Sequence, residues 1–201
     1  MLSLVTDKSV IISVFKANET SILLRILLWK LGFEWANFKR IVRPNHEHRI
    51  YYFAFGANLS PDILKERGMT IFHTYDFVLE GSALQFTQSG FYKDHGFASA
   101  DETEGDRVYG KMYQIRQTDA ARMDFYEGVP FIKAHDKVYK EPEGERFYYY
   151  RARNQTENLK PTQQYLDYIT TAYREMDCVP RDYLAAMETV ETLKTFEPQT
   201  R

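Results

Sequence analysis

Apolar and polar positions change rhythm near residue 50. Before it, one run dominates: Leu23, Leu24, Ile26, Leu27, Leu28, Trp29, Leu31, Phe33 and Trp35 leave little polar surface over residues 22–38. This pattern predicts a helix there, and residues 10–15 read as a short strand. Arg25 and Lys30 interrupt the apolar run, which falls well short of the roughly 20 residues a membrane span needs. The helix therefore packs on the rest of the chain or on a second copy of it, lies on a membrane surface, or belongs to an extension without fixed order. Residues 1–49 hold eight Lys/Arg against four Asp/Glu, so the remainder carries the net negative charge.

From Ile50 the rhythm is mixed. Strands are expected over 50–55, 75–88 (bent at Gly81), 97–100 and 107–115. A polar turn is expected at Thr103-Glu104-Gly105-Asp106. A hairpin of 131–139 and 146–153 turns around Glu141-Pro142-Glu143-Gly144. Helices are expected over 61–67, 120–126, 162–176 and 181–193. Thr118 and Asp119 offer an N-cap to the second of these, and Gly128 with Pro130 ends it. The division expected is an N-terminal extension 1–48, a domain 49–196 of the α+β class, and a polar tail 197–201.

Composition narrows the function. The chain has 201 residues and a net charge of −2, so no basic field supports nucleic-acid binding. Cys178 is the only cysteine, which excludes an intrachain disulfide. His46 and His48 read as solvated linker histidines, and no Cys/His cluster has metal spacing. Neither a metal nor an organic cofactor is expected. With no secretory signal pattern at the start, the expected location is cytoplasmic. Fifteen Tyr and fourteen Phe suit strands, a filled core or a lined pocket.

Two stretches carry candidate chemistry. Tyr51-Tyr52-Phe53-Ala54-Phe55-Gly56-Ala57-Asn58-Leu59-Ser60-Pro61 runs from an aromatic strand through a glycine break into a helix that Pro61 can start. Main-chain N–H groups at such a junction can meet an anion or a developing oxyanion. The second stretch is Met123-Asp124-Phe125-Tyr126-Glu127-Gly128-Val129-Pro130. Glu127 falls at a helix end among apolar neighbours, and both features favour a carboxyl group that can shuttle a proton. An exposed last-turn glutamate is the plainer alternative. His95 and Lys133 divide similarly, between a pocket role and a structural one.

Taken in order, these segments resemble the gamma-glutamylcyclotransferase family over residues 50–192. Phe53-Ala54-Phe55-Gly56-Ala57-Asn58-Leu59 is similar to its aromatic-Ala-Tyr-Gly-Ser-Asn-Leu loop. Glu127-Gly128 follows 71 positions after Gly56, as its Glu-Gly pair does. His95-Gly96-Phe97-Ala98, Gly105-Asp106-Arg107-Val108-Tyr109-Gly110 and Pro161 to Tyr165 resemble further family segments. The resemblance implies a small, partly closed β-barrel of five to seven strands flanked by helices, with the site at its mouth. It implies a small gamma-glutamyl substrate, whose α-amine attacks its own side-chain amide to give 5-oxoproline and a free amine. Glu127 would be the general acid/base. Tyr52, Phe53, Ala54, Phe55, Gly56, Ala57, Asn58 and Tyr165 would bind the glutamyl part, without a cofactor. Phe55 and Ala57 depart from the family's Tyr and Ser, which shifts the loop's contribution to main-chain N–H groups. The alternative is a non-catalytic ligand- or partner-binding relative, held at a membrane surface through 22–38. A homodimer fits either reading.

Overall fold

A computed structural model of the chain describes residue 31 and residues 48–90, 92–127, 129 and 135–197. The expected strand over 10–15, the helix over 22–38 apart from Leu31, the linker histidine His46, Gly128, Pro130, Lys133 and the start of the hairpin at 131–134 lie outside the described residues.

Among the described residues, five strands form one sheet: β1 (Arg49–Ala54), β2 (Ile71–Ser89), β3 (Gly96–Arg116), β4 (His135–Lys140) and β5 (Phe147–Ala152). Their order is β2-β3-β1-β5-β4. All neighbours are antiparallel except β1 and β5, which run parallel with Tyr52 opposite Tyr148. The helices are α1 (Pro61–Glu66), α2 (Gln117–Tyr126), α3 (Gln163–Arg174) and α4 (Arg181–Glu188). The fold is thus α+β with five strands, and the ladder is open at β2 and β4 rather than a closed barrel.

The central strands alternate between two buried faces, as the pleat requires. Phe53 of β1 and Phe147 and Tyr149 of β5 join Leu166, Ile169 and Tyr173 of α3 in one core. Tyr52 and Ala54, with Tyr148 and Tyr150, point the other way, onto Leu64 of α1 and Ala120 and Met123 of α2. An aromatic run with no polar alternation is what a strand buried on both faces needs.

The long hairpin β2–β3 differs from expectation. The turn at 103–106 does not separate two strands. Glu80 pairs with Arg107 and Ser82 with Glu102, so residues 103–106 stand opposite Gly81 alone as a wide bulge. Gly81 (φ +71°) and Gly105 (φ +85°) take the left-handed conformations this irregularity demands. Bulges bend a ribbon, and here the far half reaches β5. Ser99 Oγ accepts from Ala152 N at 3.0 Å and donates to Asp101, which also accepts from Thr87 Oγ1 at 2.7 Å. Buried Ser99, Asp101 and Thr87 satisfy one another as they tie hairpin to sheet.

Other boundaries shift for local reasons. Strand β2 starts at Ile71, four positions before the expected residue 75. Thr118 and Asp119 sit inside α2 rather than capping it, and Asp119 Oδ2 instead accepts from Thr70 N at 2.8 Å. Thr162 caps α3, its hydroxyl accepting from Tyr165 N at 3.2 Å. Helix α4 stops at Glu188, short of the expected residue 193. No helix among the described residues is long and apolar enough to cross a membrane.

Candidate active site

The chain leaving β1 breaks at Gly56, makes one 3-10 turn over Ala57–Leu59 and enters α1. Tyr113 of β3 fixes this turn by donating to Leu59 O at 2.7 Å. Beside it lies a cavity of about 270 Å³, just below the ~300–1,000 Å³ typical of ligand pockets. Phe55, Gly56, Ala57 and Asn58 line it, with Tyr52 and Tyr150 from the sheet, Phe97 and Ala98 from β3, and Tyr165 from α3. Arg67, Tyr126, Glu127 and His135 complete the wall.

Glu127 follows the last turn of α2, its N–H still bonded to Met123 O at 2.9 Å. Its carboxylate is held by polar partners rather than wrapped by apolar neighbours. Asn58 Nδ2 donates to Glu127 Oε1 at 3.1 Å, and Arg67 Nη1 approaches the same oxygen at 3.3 Å. Asn58 is saturated in turn: its Nδ2 also donates to Tyr52 Oη at 2.7 Å, and its Oδ1 accepts from Arg67 Nη1 at 2.8 Å. Asn58 is buried, so losing any of these partners leaves a stranded polar atom. His135 Nδ1 lies 2.7 Å from Glu127 O, which can only accept, so that nitrogen carries the hydrogen. A histidine donating to the last carbonyls is a natural partner for a helix C-terminus.

Tyr165 faces Glu127 across the cavity. Burial pushes its hydroxyl pKa up to about 12, with the negative charge of Glu127 adding and N–H groups of Ala98 and Ala57 opposing. The phenol is therefore neutral near pH 7. It accepts from Ala98 N at 3.3 Å and keeps its own proton to donate to a ligand. Gly56 is required by this hydroxyl. A Cβ at Gly56 would stand 2.6 Å from Tyr165 Oη, although its φ of −109° is open to any residue. Burial raises the Tyr52 hydroxyl well above the usual tyrosine value, so it too stays neutral.

The main-chain donors of the turn are more committed than the sequence suggests. Leu59 N bonds Gly56 O at 2.9 Å and Ser60 N bonds Ala57 O at 3.3 Å. Ala57 N–H counts among the groups that oppose the rise of the Tyr165 hydroxyl pKa.

Of the residues expected at the site, the cavity brings together Glu127, Tyr52, Phe55, Gly56, Ala57, Asn58 and Tyr165. It leaves out Phe53 and Ala54, whose side chains fill the two cores on either face of β1. His95 is buried against Phe97 and Tyr92 and does not line the cavity. Sequence reasoning missed Arg67, His135 and Tyr150, and took Tyr126 only as an apolar neighbour of Glu127. Arg67 reads as an ordinary last residue of a short helix. The one available signal is that it lies nine positions after Asn58, where a strand–turn–helix return brings chain back to the turn. Tyr150 Oη donates to Asp124 Oδ1 at 2.6 Å, and Lys137 Nζ to the same oxygen at 3.0 Å, which anchors α2 against β4 and β5. Among the described residues, no group of three or more His, Cys, Asp or Glu could hold a metal ion.

This architecture matches solved structures. One is a gamma-glutamyl cyclotransferase, superposing with a TM-score of 0.59 at 21% identity over 74% of this chain and 91% of that one. An uncharacterized protein from Homo sapiens superposes with a TM-score of 0.58 at 22% identity, over 77% and 95% of the two chains. YkqA from Bacillus subtilis gives 0.57 at 18% identity, over 79% of this chain and 60% of its own. The chain therefore has the gamma-glutamyl cyclotransferase-like fold. No protein-family model and no curated protein matches its sequence.

Proposed function

We propose that the protein is a gamma-glutamyl cyclotransferase, with Glu127 as general acid and base. One observation carries the reading. The glycine-break turn and the Glu127 segment, 69 residues apart, meet in a single cavity through the 3.1 Å bond from Asn58 to Glu127. In the proposed reaction Glu127 takes a proton from the substrate α-ammonium. The freed amine attacks the side-chain amide carbonyl, and a five-membered ring closes. The ring nitrogen sheds its second proton to solvent, and the amide C–N bond breaks as Glu127 returns its own proton to the leaving nitrogen, giving 5-oxoproline and an amine that takes up the released proton. The nucleophile belongs to the substrate, so no nucleophilic side chain is required. Holding the substrate folded supplies much of the rate, because the attack is intramolecular. In this reading the Tyr165 hydroxyl, neutral and with a proton to give, stabilises charge on the carbonyl oxygen.

The test is to incubate the protein with a panel of gamma-glutamyl amino acids and amines and follow 5-oxoproline by mass. Release is expected from at least one compound. In Glu127→Gln, which keeps the shape and an acceptor for Asn58, release should fall by ~100-fold or more with a cooperative urea transition retained. Full activity in that variant, or no 5-oxoproline from any compound, refutes the proposal.

A further inference from the structure

The strongest unassigned feature of the cavity is Arg67. It follows α1 directly, and its side chain is 21% exposed against 18% for Glu127. Its guanidinium lies 4.8 Å from the centre of the Tyr126 ring, which fixes the plane of the fork. Its contacts with Asn58 Oδ1, Glu127 Oε1 and Met123 Sδ all leave through Nη1. A guanidinium carries five N–H donors in a fixed geometry suited to a carboxylate, so Nη2 and Nε lie outside that set of bonds. Meanwhile the Leu59 and Ser60 N–H groups of the turn are already engaged.

We propose that Arg67 is the specificity-determining residue of this site and binds the α-carboxylate of its substrate. This inference rests on the cyclotransferase reading of the same cavity. Glu127 and Arg67 present a negative and a positive group side by side, 3.3 Å apart. An α-amino acid presents the complementary pair, an ammonium and a carboxylate on one carbon. Binding exchanges one internal ion pair for two: Glu127 with the ammonium, and Arg67 with the carboxylate. A carboxylate is therefore what draws the guanidinium away from the base. A substrate with the same side chain but no α-carboxylate leaves Arg67 on Glu127, and the base stays engaged. The ligand class is a γ-substituted α-amino acid, and simple γ-amino amides are excluded.

The experiment compares two pairs of compounds in the full chain. For binding, 5-oxoproline and 2-pyrrolidinone share one ring and differ in the carboxylate. The wild-type protein should prefer 5-oxoproline by roughly 10–100-fold, the range for a hydrogen bond to a charged group. Arg67→Gln should shrink that ratio to within about twofold, and Arg67→Lys, which keeps charge without the fork, should fall between. For turnover, a γ-glutamyl amide is compared with the matching 4-aminobutanoyl amide, and Arg67→Gln should raise KM for the first more than it lowers kcat. A wild-type preference that survives Arg67→Gln overturns the inference, as does a wild-type protein that binds the two rings equally. The binding ratio is read without turnover. A protein that selects 5-oxoproline through Arg67 but cyclises no γ-glutamyl compound refutes the proposed reaction and leaves the carboxylate anchor standing.

Discussion

The contact between Gly56 and Tyr165 predicts that one substitution loses much of its cost when a single oxygen is removed. A Cβ on Gly56 would lie 2.6 Å from Tyr165 Oη and 3.7 Å from Cζ of the same ring. To regain a separation of about 3.5 Å the hydroxyl must retreat by about 1 Å. Retreat is resisted, because the ring packs edge-on against Phe97 at 5.2 Å and Phe86 at 6.4 Å between centroids. Gly56→Ala should therefore cost about 1–3 kcal/mol, as overpacking of a fixed core does. Tyr165→Phe alone removes the acceptor of Ala98 N, at about 1–3 kcal/mol for a stranded donor. In the double variant the clashing atom is gone, and the nearest ring carbon is at ordinary contact distance. Gly56→Ala should then cost clearly less, since no atom stands closer than 3.7 Å to the added Cβ once the hydroxyl is gone. Urea unfolding of the four proteins measures the cycle. A coupling of about 1 kcal/mol or more is expected, against the ~0.3–0.5 kcal/mol scatter of independent sites. An equal cost for Gly56→Ala in both backgrounds would show that the hydroxyl is not what excludes a side chain at 56.

Two further predictions concern polar groups. Asn58→Asp is nearly isosteric but replaces the donor that faces Glu127 Oε1 at 3.1 Å and Tyr52 Oη at 2.7 Å. It should lower stability at pH 7 by about 1–3 kcal/mol, and an unchanged urea midpoint would refute the bonding described. His95 is buried, and burial pushes its pKa from 6.5 down to about 4. The folded state thus binds fewer protons than the unfolded one between these values, so the contribution of His95 is full above pH 6.5 and is lost as pH falls towards 4. The loss should approach roughly 2–3 kcal/mol, and His95→Gln should flatten the stability profile across that window. An identical profile in the variant would remove His95 as its cause.

How much of this was legible in the sequence depended on how local the physics was. Strand β1, the Gly56 break and the start of α3 near Thr162 follow from neighbouring residues, and the sequence pattern places all three; the cap that Thr162 supplies comes only from the structure. The bulge opposite Gly81 could not be read as such. A turn signal at Thr103-Glu104-Gly105-Asp106 looks the same whether the chain reverses there or loops out of a continuing strand. The choice is made by pairing with β2, some twenty residues earlier. Phe53 and Ala54 share a motif with Phe55 and Asn58, but strand alternation sends their side chains into the two cores. A contiguous motif on a strand cannot present every member to one cavity.

The surroundings of Glu127 show where local reading failed. Its sequence neighbours are apolar, which suggested a carboxylate enclosed by hydrocarbon. The atoms that reach the carboxylate come instead from Asn58 and Arg67, 69 and 60 residues earlier. They come as a linked set, with Arg67 bonding Asn58 and Asn58 bonding Tyr52. An apolar enclosure would make Glu127 a proton carrier indifferent to the rest of the ligand. A polar enclosure with a neighbouring guanidinium couples the carboxylate to whatever engages that cation. In the proposed reaction, selectivity for an α-amino acid and access to the base then become one property of the cavity. Arg67→Gln should accordingly relax the requirement for a carboxylate and weaken binding of the preferred substrate together. A variant that did one without the other would separate them.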